Sequence, residues 1–280
     1  MEKTKQDFLL LAANASLEAG RAIMAVYDNK EADFHIELKP DDSPLTVADK
    51  ESNRIIVPRL STTGLPVLSE ESKIVPYEER QSWQKLWIVD PLDGTKEFIK
   101  RNGEFTVNIA LVESHTPVMG VIYVPALKEL YWGIVGHGAG KITQCGYDRP
   151  FADTGSLLNA STPLPCKRDG RGMVVVASRS HLNDATQQFI NDLVSRHGDI
   201  STVSKGSSLK FCLVAEGNAD IYPRFAPTME WDTAAGQAIA MAAGCKVTLA
   251  DMSGTLSYNR VDLLNPSFIV YNSKLNLGTR

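Results

Sequence analysis

The chain has 280 residues, of which 43% are hydrophobic and 22% charged, a composition typical of a globular protein with a sizeable core. A net charge of −4 without a clustered basic stretch argues against a surface for polymeric nucleic acid. We find no apolar signal core and no apolar run of membrane-spanning length, so we expect a cytoplasmic protein without a transmembrane segment. A peripheral contact with the inner membrane stays compatible with the sequence, and the oligomeric state is open. The cysteines lack CxxC or zinc spacing and indicate thiols in a reducing compartment: Cys145, Cys166, Cys212 and Cys245.

The first half of the chain predicts two helices and then a largely antiparallel sheet. Apolar residues at helical spacing predict a helix from about Gln6 to Tyr27. Thr46 and Asp49 fit a capping box that begins a second helix, ending near Leu60. Consecutive β-prone runs at 105–112, 118–124 and 130–135, without intervening helices, favour antiparallel pairing. Earlier strands are predicted at 34–39, 65–69 and 87–90.

Three segments of the first half are predicted to lack regular structure. Residues 40–44 form a polar loop. Residues 73–86 are irregular, and the side chains of 77–80 are expected to be exposed. Residues 136–140 are a hairpin turn, because their glycines lack the GxGxxG spacing of a dinucleotide loop.

The second half alternates strands with helices. Strands are predicted at 173–177, 200–204, 220–224, 246–250 and 267–271, and helices at 183–196, at 209–216 and from Trp231. Residues 145–172 are rich in Pro, Gly, Ser and charge, which is typical of a lobe boundary. We therefore expect one domain in two lobes, 1–155 and 156–280, built from alternating layers of helix pairs and sheets.

The segment from Asp90 to Thr95 carries the strongest chemical signal. An apolar strand should end at Pro91, which has no backbone N–H, and this brings Asp90 and Asp93 to the strand's edge. Paired carboxylates suit Mg²⁺, and Gly94 beside a helix start suits a phosphate. The pattern favours metal-assisted phosphoryl chemistry, with an ordinary Asp-Pro and Asp-Gly turn as the alternative.

Other acids have a structural and a functional interpretation. Asp49 is a helix cap, or it orients a water or holds a metal. Glu70 ends a predicted strand and is either solvated or a metal ligand. Asp232 is the N-cap of the helix that starts at Trp231, or a further ligand.

Two segments could contact an anion. Residues 205–208 place a lysine and two serines before a helix, and the strand at 220–224 delivers Arg224. Residues 178–181 could touch phosphate or a base, or cap the following helix. His35 has no partner at ligand spacing and is interpreted as structural.

Taken together, the acids at 49, 70, 90, 93 and 232 resemble the site of the inositol monophosphatase superfamily of lithium-sensitive, magnesium-dependent phosphatases. Residues 90–95 match its first signature and 231–236 its second, and 70–72 also match, in the same order. Residues 43–49, 178–181, 206–210 and 222–224 resemble its branch of bacterial 3′(2′),5′-bisphosphate nucleotidases. The resemblance runs from near residue 8 to the C-terminus. It implies an α/β (α+β) fold, a layered α-β-α-β-α sandwich of the inositol-monophosphatase/fructose-bisphosphatase type with a largely antiparallel first sheet.

The resemblance also implies roles for single residues. It implies two or three Mg²⁺ per site, bound by Glu70, Asp90, the backbone carbonyl of Leu92, Asp93 and Asp232. The implied catalytic set is Asp49, Thr95 and Glu70, with Thr95 orienting the attacking water and Asp49 accepting its proton. Lobe 1–155 would bind the metal and lobe 156–280 the nucleotide. The implied substrate contacts are Glu70, Leu92, Asp93, Gly94, Thr95, His181, Ser207, Lys210, Arg224 and Asp232.

The implied reaction is Mg²⁺-dependent removal of the 3′-phosphate from adenosine 3′,5′-bisphosphate, giving AMP, in sulfur assimilation. The sulfated form, 3′-phosphoadenylyl sulfate, is a second expected substrate, giving adenylyl sulfate. The alternatives are an inositol- or sugar-phosphate phosphatase of the same fold, and a non-catalytic metal-dependent nucleotide sensor. Arg224 and Phe225 argue against inositol specificity, because that relative would be expected to carry an acidic residue here for sugar hydroxyls. Arginine instead suits a second phosphate.

Overall fold

The structure is a computed structural model and describes residues 4–29, 36–38, 44–164, 172–179 and 183–275. Within these ranges the helices are α1 (Lys5–Tyr27), α2 (Val47–Ser61), α3 (Tyr77–Arg80), α4 (Thr95–Ile99), α5 (Thr154–Asn159), α6 (Asp184–His197), α7 (Leu209–Glu216) and α8 (Glu230–Ala242). The strands are β1 (Glu37–Leu38), β2 (Pro44–Leu45), β3 (Val67–Ser69), β4 (Lys85–Asp93), β5 (Thr106–Glu113), β6 (Thr116–Val124), β7 (Glu129–Ile134), β8 (Gly138–Ile142), β9 (Thr162–Pro163), β10 (Met173–Ser178), β11 (Ile200–Lys205), β12 (Ile221–Arg224), β13 (Cys245–Leu249) and β14 (Phe268–Asn272).

The first sheet has seven strands in the order β3-β4-β5-β6-β7-β8-β9. All neighbours are antiparallel except β3 and β4, which run parallel. Antiparallel neighbours need only short hairpins, which explains why β5 to β8 follow one another without helices. This confirms the predicted largely antiparallel first sheet.

The second sheet has five strands in the order β11-β10-β12-β14-β13. β10 pairs in parallel with β11 and β12, whereas β14 is antiparallel to both of its neighbours. Parallel pairs need crossover connections, and α6 and α7 supply them between these strands. The predicted alternation of strand and helix is therefore confirmed here.

Five layers stack in the order helix, sheet, helix, sheet, helix. α1 and α2 cover one face of the first sheet, α7 and α8 lie between the two sheets, and α6 covers the outer face of the second. Three clusters of buried side chains fill the gaps between these layers. The predicted layered α-β-α-β-α sandwich is confirmed.

The first helix, α1, is long and apolar enough to cross a membrane by length and composition alone. Half of its most apolar window is buried in the fold, against α2 and the first sheet. Its apolar residues are accounted for by this packing, as in the core helix of a globular protein.

Three local predictions were wrong. β4 does not end at Pro91, because the ladder with β5 slips between Asp90 and Asp93 and then resumes. Residues 77–80 form α3, whose Arg80 is buried and donates to the Asn259 side chain at 2.9 Å and the Val261 carbonyl at 3.1 Å. The turn after β7 is limited to 135–137, and Gly138 begins β8.

Some predictions lie wholly or partly outside the described residues. They are His35, Cys166, His181, most of the loop at 40–44 and half of the predicted strand at 34–39. Cys145, Cys212 and Cys245 are buried.

Candidate active site

Three acids meet where β3 and β4 end. Ser69 pairs with Val89 in this parallel register, and the Glu70 amide donates to the Val89 carbonyl at 3.2 Å. Glu70 therefore follows β3 beside Asp90 of β4. Asp232, in the first turn of α8, completes the group: one carboxylate oxygen from each of Glu70, Asp90 and Asp232 lies within 4.8 Å of the others.

Asp232 contributes to the start of α8, although it is not the N-cap. Met229 caps the helix, and its amide donates to the Asp232 carboxylate at 2.8 Å from the third helical position. The predicted N-cap position was therefore wrong by three residues. The cap fixes one Asp232 oxygen, which turns the carboxylate toward Glu70 and Asp90.

Asp93 is held by polar side chains from both halves of the chain. Its Oδ2 accepts from Ser208 Oγ at 2.8 Å and from Asn108 Nδ2 at 3.3 Å. Ser208 Oγ also lies 2.8 Å from the Asp232 carbonyl and accepts from Asn108 at 2.9 Å. Ser208 therefore connects the first-sheet acid to α8.

Asp49 and Thr95 form a direct pair. Thr95 Oγ1 donates to Asp49 Oδ1 at 3.0 Å and lies 3.4 Å from the Leu92 carbonyl. The other Asp49 oxygen accepts from the Thr46 amide at 2.8 Å, which confirms the predicted capping box. Gly94 has φ +92°, a left-handed conformation that favours glycine and lets α4 begin at Thr95.

Burial is the main cause that raises the pKa of the Asp90 carboxyl well above its usual value, and Glu70, Asp93 and Asp232 add to it. Burial likewise raises the pKa of Asp232 to about 8, with Asp93 and Glu70 contributing. Asp90 is only 1% exposed. Several carboxylates this close repel one another unless a cation neutralises them.

The donor set fits a hard divalent cation. Glu70, Asp90 and Asp232 offer carboxylate oxygens in one cluster. Asp93 lines the adjoining cavity, and the Leu92 carbonyl lies beside Thr95. Such oxygen ligands suit Mg²⁺, and no softer nitrogen or sulfur ligand belongs to this group among the described residues.

A cavity of about 360 Å³ opens beside the acids. The acids Glu70, Asp93 and Asp232 line this cavity, and so do Gly94 and Thr95. Its lining also includes a hydroxyl and two cations from the second half of the chain, at Ser207, Lys210 and Arg224.

Of the three cationic side chains that line the cavity among the described residues, Lys210 and Arg224 are buried and Lys96 is exposed. Lys210 Nζ donates to the carbonyls of Lys205 and Ser207 and lies 5.4 Å from the centre of the Tyr222 ring. Burial lowers the pKa of Lys210 to about 8, against the influence of Asp93. Arg224 is 8% exposed; its Nη2 donates to the Pro227 carbonyl at 2.8 Å, but its buried Nε has no partner among the residues that the structure describes.

Sequence reasoning missed two side chains that organise this site: Asn108, which holds Asp93, and Glu104, which binds the loop that carries Ser207. It named Ser208 as part of a possible anion site, whereas the structure shows Ser208 holding Asp93. Thr106 and Asn108 stand two apart in an otherwise apolar strand, and this was a usable signal because both face the same side. Glu104 offered no such signal. The predicted contact His181 is outside the described residues.

The five-layered sandwich and its acid-lined cavity define a class of layered α/β proteins with a carboxylate site for a divalent cation. Residues 5–279 match the model of the inositol monophosphatase family. The chain belongs to the inositol monophosphatase family.

Two relatives are similar to this chain along most of their length. The 3′(2′),5′-bisphosphate nucleotidase CysQ of Salmonella typhimurium is 48% identical over 256 residues, which cover 90% of this chain and 94% of that protein. The protein of the same name from Escherichia coli K12 is 45% identical with the same coverage.

Solved structures agree with the fold. The crystal structure of CysQ from Bacteroides thetaiotaomicron, described as a bacterial member of the inositol monophosphatase family, has a TM-score of 0.89 and 51% identity, covering 96% of this chain and 98% of that one. The extragenic suppressor protein suhB from Bartonella henselae has a TM-score of 0.71 and 26% identity, covering 95% and 94%.

Proposed function

We propose that the protein is a Mg²⁺-dependent phosphatase that hydrolyses the 3′-phosphate of adenosine 3′,5′-bisphosphate to AMP and inorganic phosphate. The names of the relatives at 45–48% identity support this substrate class. The reaction would take place in the cytoplasm, within sulfur assimilation. The sulfated form, 3′-phosphoadenylyl sulfate, is a second proposed substrate, because it keeps the same 3′-phosphate.

One observation carries the proposal: a single cavity is lined both by acids and by two buried cations, Lys210 and Arg224. The acids are suited to a metal-bound phosphate, and Lys210 and Arg224 are suited to a second, unmetallated anion. A substrate with one phosphate would leave these two cations without an anionic group of the ligand, whereas a bisphosphate would supply one. In this view lobe 1–155 binds metal and lobe 156–280 the nucleotide, within one domain.

Glu70, Asp90, Asp93, Asp232 and the Leu92 carbonyl would hold two or three Mg²⁺. Bound Mg²⁺ would neutralise the phosphate, lower the pKa of a water and stabilise the leaving oxygen. Thr95 donates to Asp49, so its remaining lone pairs can accept a hydrogen bond from the attacking water. The water oxygen forms the new P–O bond as the bond to the 3′ oxygen breaks, and the water's proton passes to Asp49.

The remaining substrate contacts follow from the cavity lining. Gly94 and Thr95 would contact the 3′-phosphate, and the predicted partners of the nucleoside and its 5′-phosphate are Ser207, Lys210, Arg224 and His181. Within the described part of the chain, Arg224 Nε and Ser207 Oγ are buried polar atoms without a hydrogen-bond partner, which favours a ligand that would satisfy them.

The proposal is tested with Arg224→Met and two substrates that differ only in the 5′-phosphate. Removing a charged hydrogen-bonding partner should lower kcat/KM for adenosine 3′,5′-bisphosphate about 10- to 100-fold. Adenosine 3′-monophosphate should lose less than about threefold, because it lacks the group that Arg224 binds. Arg54→Met, an exposed arginine paired with Glu51 on α2, is the matched control.

Equal losses for both substrates would overturn the assignment of Arg224 to the second phosphate. Inositol 1-phosphate is the third substrate in the series. A wild-type preference for it would favour the inositol- or sugar-phosphate alternative, and metal-dependent binding without turnover would favour the sensor.

A further inference from the structure

A buried carboxylate outside the acidic cluster joins the two sheets beside the cavity. Glu104 precedes β5 of the first sheet and is 8% exposed. It accepts from Arg179 Nε at 3.0 Å and Nη2 at 2.9 Å, from Lys205 Nζ at 3.1 Å, and from the Gly206 amide at 2.8 Å. Arg179 and Lys205 lie at the ends of the neighbouring strands β10 and β11 of the second sheet. One carboxylate thus binds both strand ends and the loop between β11 and α7.

The charge of Glu104 is maintained by these partners. Burial acts to raise the pKa of the carboxyl, but hydrogen bonds from Arg179, Gly206 and Lys205 outweigh it and hold the pKa below its usual value. A buried carboxylate with two cations and a backbone donor is satisfied, and it fixes the geometry of the groups around it.

The loop bound by Glu104 has little freedom to move. A Cβ at Gly206 would lie 2.9 Å from the Glu104 carbonyl oxygen and 2.9 Å from Glu97 Cγ, so the backbone is packed directly on α4 and on the segment that precedes β5. Ser207 has φ +42°, a left-handed conformation that a non-glycine residue keeps only when its surroundings impose it. The Glu104 bond to the adjacent Gly206 amide is one such constraint.

The conformation of this loop determines where the Lys210 ammonium lies. Lys210 is the second residue of α7, and its Nζ donates to the carbonyls of Lys205 and Ser207, one on either side of Gly206. If the loop shifts, both acceptors shift with it. Ser208, in contrast, is held separately by Asp93, the Asp232 carbonyl and Asn108.

We propose that Glu104 is a positioning residue for the substrate: it holds the 205–207 loop so that Ser207 and the Lys210 ammonium face the cavity. Glu104 does not line the cavity. Its effect is therefore on substrate binding, while Ser208 keeps the acidic cluster in place. The kinetic part of the proposal rests on the proposed function, and the conformational part does not.

The test compares Glu104→Gln with Glu113→Gln. Glu113 lies at the other end of β5, is likewise paired with two cations (Lys5 and Lys85), and is not part of the cavity lining. Glu104→Gln should raise KM for adenosine 3′,5′-bisphosphate about tenfold and change kcat by less than about threefold. Without substrate, amide hydrogen exchange of residues 205–207 should become about tenfold faster. Glu113→Gln should alter neither quantity.

The proposal is overturned if Glu104→Gln and Glu113→Gln have the same KM and the same exchange in the loop, or if Glu104→Gln lowers kcat with KM unchanged. If the wild-type protein hydrolyses no nucleotide, the proposed function fails, and faster loop exchange in Glu104→Gln alone still supports the positioning role. Should Glu104→Gln not fold, Arg179→Gln removes two of the same hydrogen bonds from a half-exposed side chain. It should then raise KM and loop exchange in the same direction, and no change in either would contradict the proposal.

Discussion

The two oxygens of Asp49 have separate partners. Oδ2 closes the capping box with Thr46 at the start of α2, and Oδ1 accepts the hydroxyl of Thr95. The capping hydrogen bonds restrict the Asp49 side chain to one rotamer, in which Oδ1 points to Thr95. The structural and functional interpretations of Asp49 are therefore compatible. One carboxylate can cap a helix and also accept from the Thr95 hydroxyl, which we propose orients the attacking water.

Thr95→Val removes the hydroxyl of this pair and keeps the shape of the side chain. We expect kcat for phosphate release to fall about 100-fold or more, because the water loses its orienting acceptor. KM should stay within about threefold, and Thr95→Ser should keep most of the activity. The double variant Asp49→Asn/Thr95→Val should have a kcat no lower than that of the less active single variant, because the two groups act as a unit. A Thr95→Val enzyme with wild-type kcat would contradict this role.

The buried Lys210 predicts a pH dependence of substrate binding. Its pKa is lowered to about 8, so the ammonium is charged below this pH and loses its proton as the pH rises through it. An anionic phosphate needs the charged form, and KM for the bisphosphate should therefore rise between about pH 7 and pH 9.5. Lys210→Arg keeps its charge over this range and should show a flatter profile. The measurement is KM against pH for both proteins, and identical profiles would exclude Lys210 as the titrating group.

At the scale of elements, α8 is packed against the first sheet with no space for larger side chains. A Cβ on Gly120 of β6 would lie 2.4 Å from the Ala235 carbonyl oxygen, and one on Gly133 of β7 would lie 2.7 Å from Ile239 Cα. Since α8 carries Asp232, this close contact fixes the distance between Asp232 and the first sheet, where Glu70 and Asp90 lie.

Gly120→Ala should destabilise the protein by about 1–3 kcal/mol, because backbone atoms of α8 cannot move aside. Gly254→Ala is the matched control, since a Cβ there meets no atom within 4 Å. Urea unfolding monitored by circular dichroism measures both free energies of unfolding. If both variants lower the free energy of unfolding by the same small amount, α8 can move away from the sheet and the prediction is wrong.

Most elements follow from local patterns in the sequence, and the exceptions have tertiary causes. α2 and α7 agree with the predicted spans because a capping box and an apolar helical run identify them. β4 continues past Pro91 because β5 pairs again at Asp93, and a bulge accommodates the missing amide. α3 is stabilised by hydrogen bonds from Arg80 to residues about 180 positions away, which no local pattern contains.

At the scale of the whole molecule, the fold brings acids that are far apart in the sequence into one cluster. Glu70, Asp90 and Asp232 come from three elements, and the family resemblance anticipated them as a set. Their supporting partners could not be anticipated in the same way. Ser208 reaches Asp93 across 115 positions and Gly206 reaches Glu104 across 102, so these contacts arise only from the stacking of two sheets.

Removal of the metal should couple stability to pH. The folded-state pKa values of Asp90 and Asp232 are raised, so the folded protein keeps protons that the unfolded chain loses above about pH 4. In a chelator the stability should therefore fall as the pH rises from about 5 to 8. Mg²⁺ binds the ionised carboxylates, and it should raise Tm more at about pH 8 than at about pH 5.5.

Differential scanning fluorimetry with and without Mg²⁺ measures this coupling. Asp232→Asn removes one of the titrating acids, so its Tm in chelator should depend less on pH and its response to Mg²⁺ should be smaller. A wild-type Tm that does not respond to Mg²⁺ at any pH would contradict a metal site in the acidic cluster.

We propose that the cavity lined by Asp93, Lys210 and Arg224 is the site where a bisphosphorylated nucleoside loses its 3′-phosphate. The most direct measurement is Mg²⁺-dependent phosphate release from adenosine 3′,5′-bisphosphate and from inositol 1-phosphate, with the nucleoside product identified by ³¹P NMR and Asp90→Asn as the inactive control. We expect AMP as the product and a kcat/KM for the nucleotide at least about 100-fold above that for inositol phosphate, abolished by chelator and by Asp90→Asn. Equal or greater turnover of inositol 1-phosphate, or adenosine 3′-monophosphate as the product, would contradict the account.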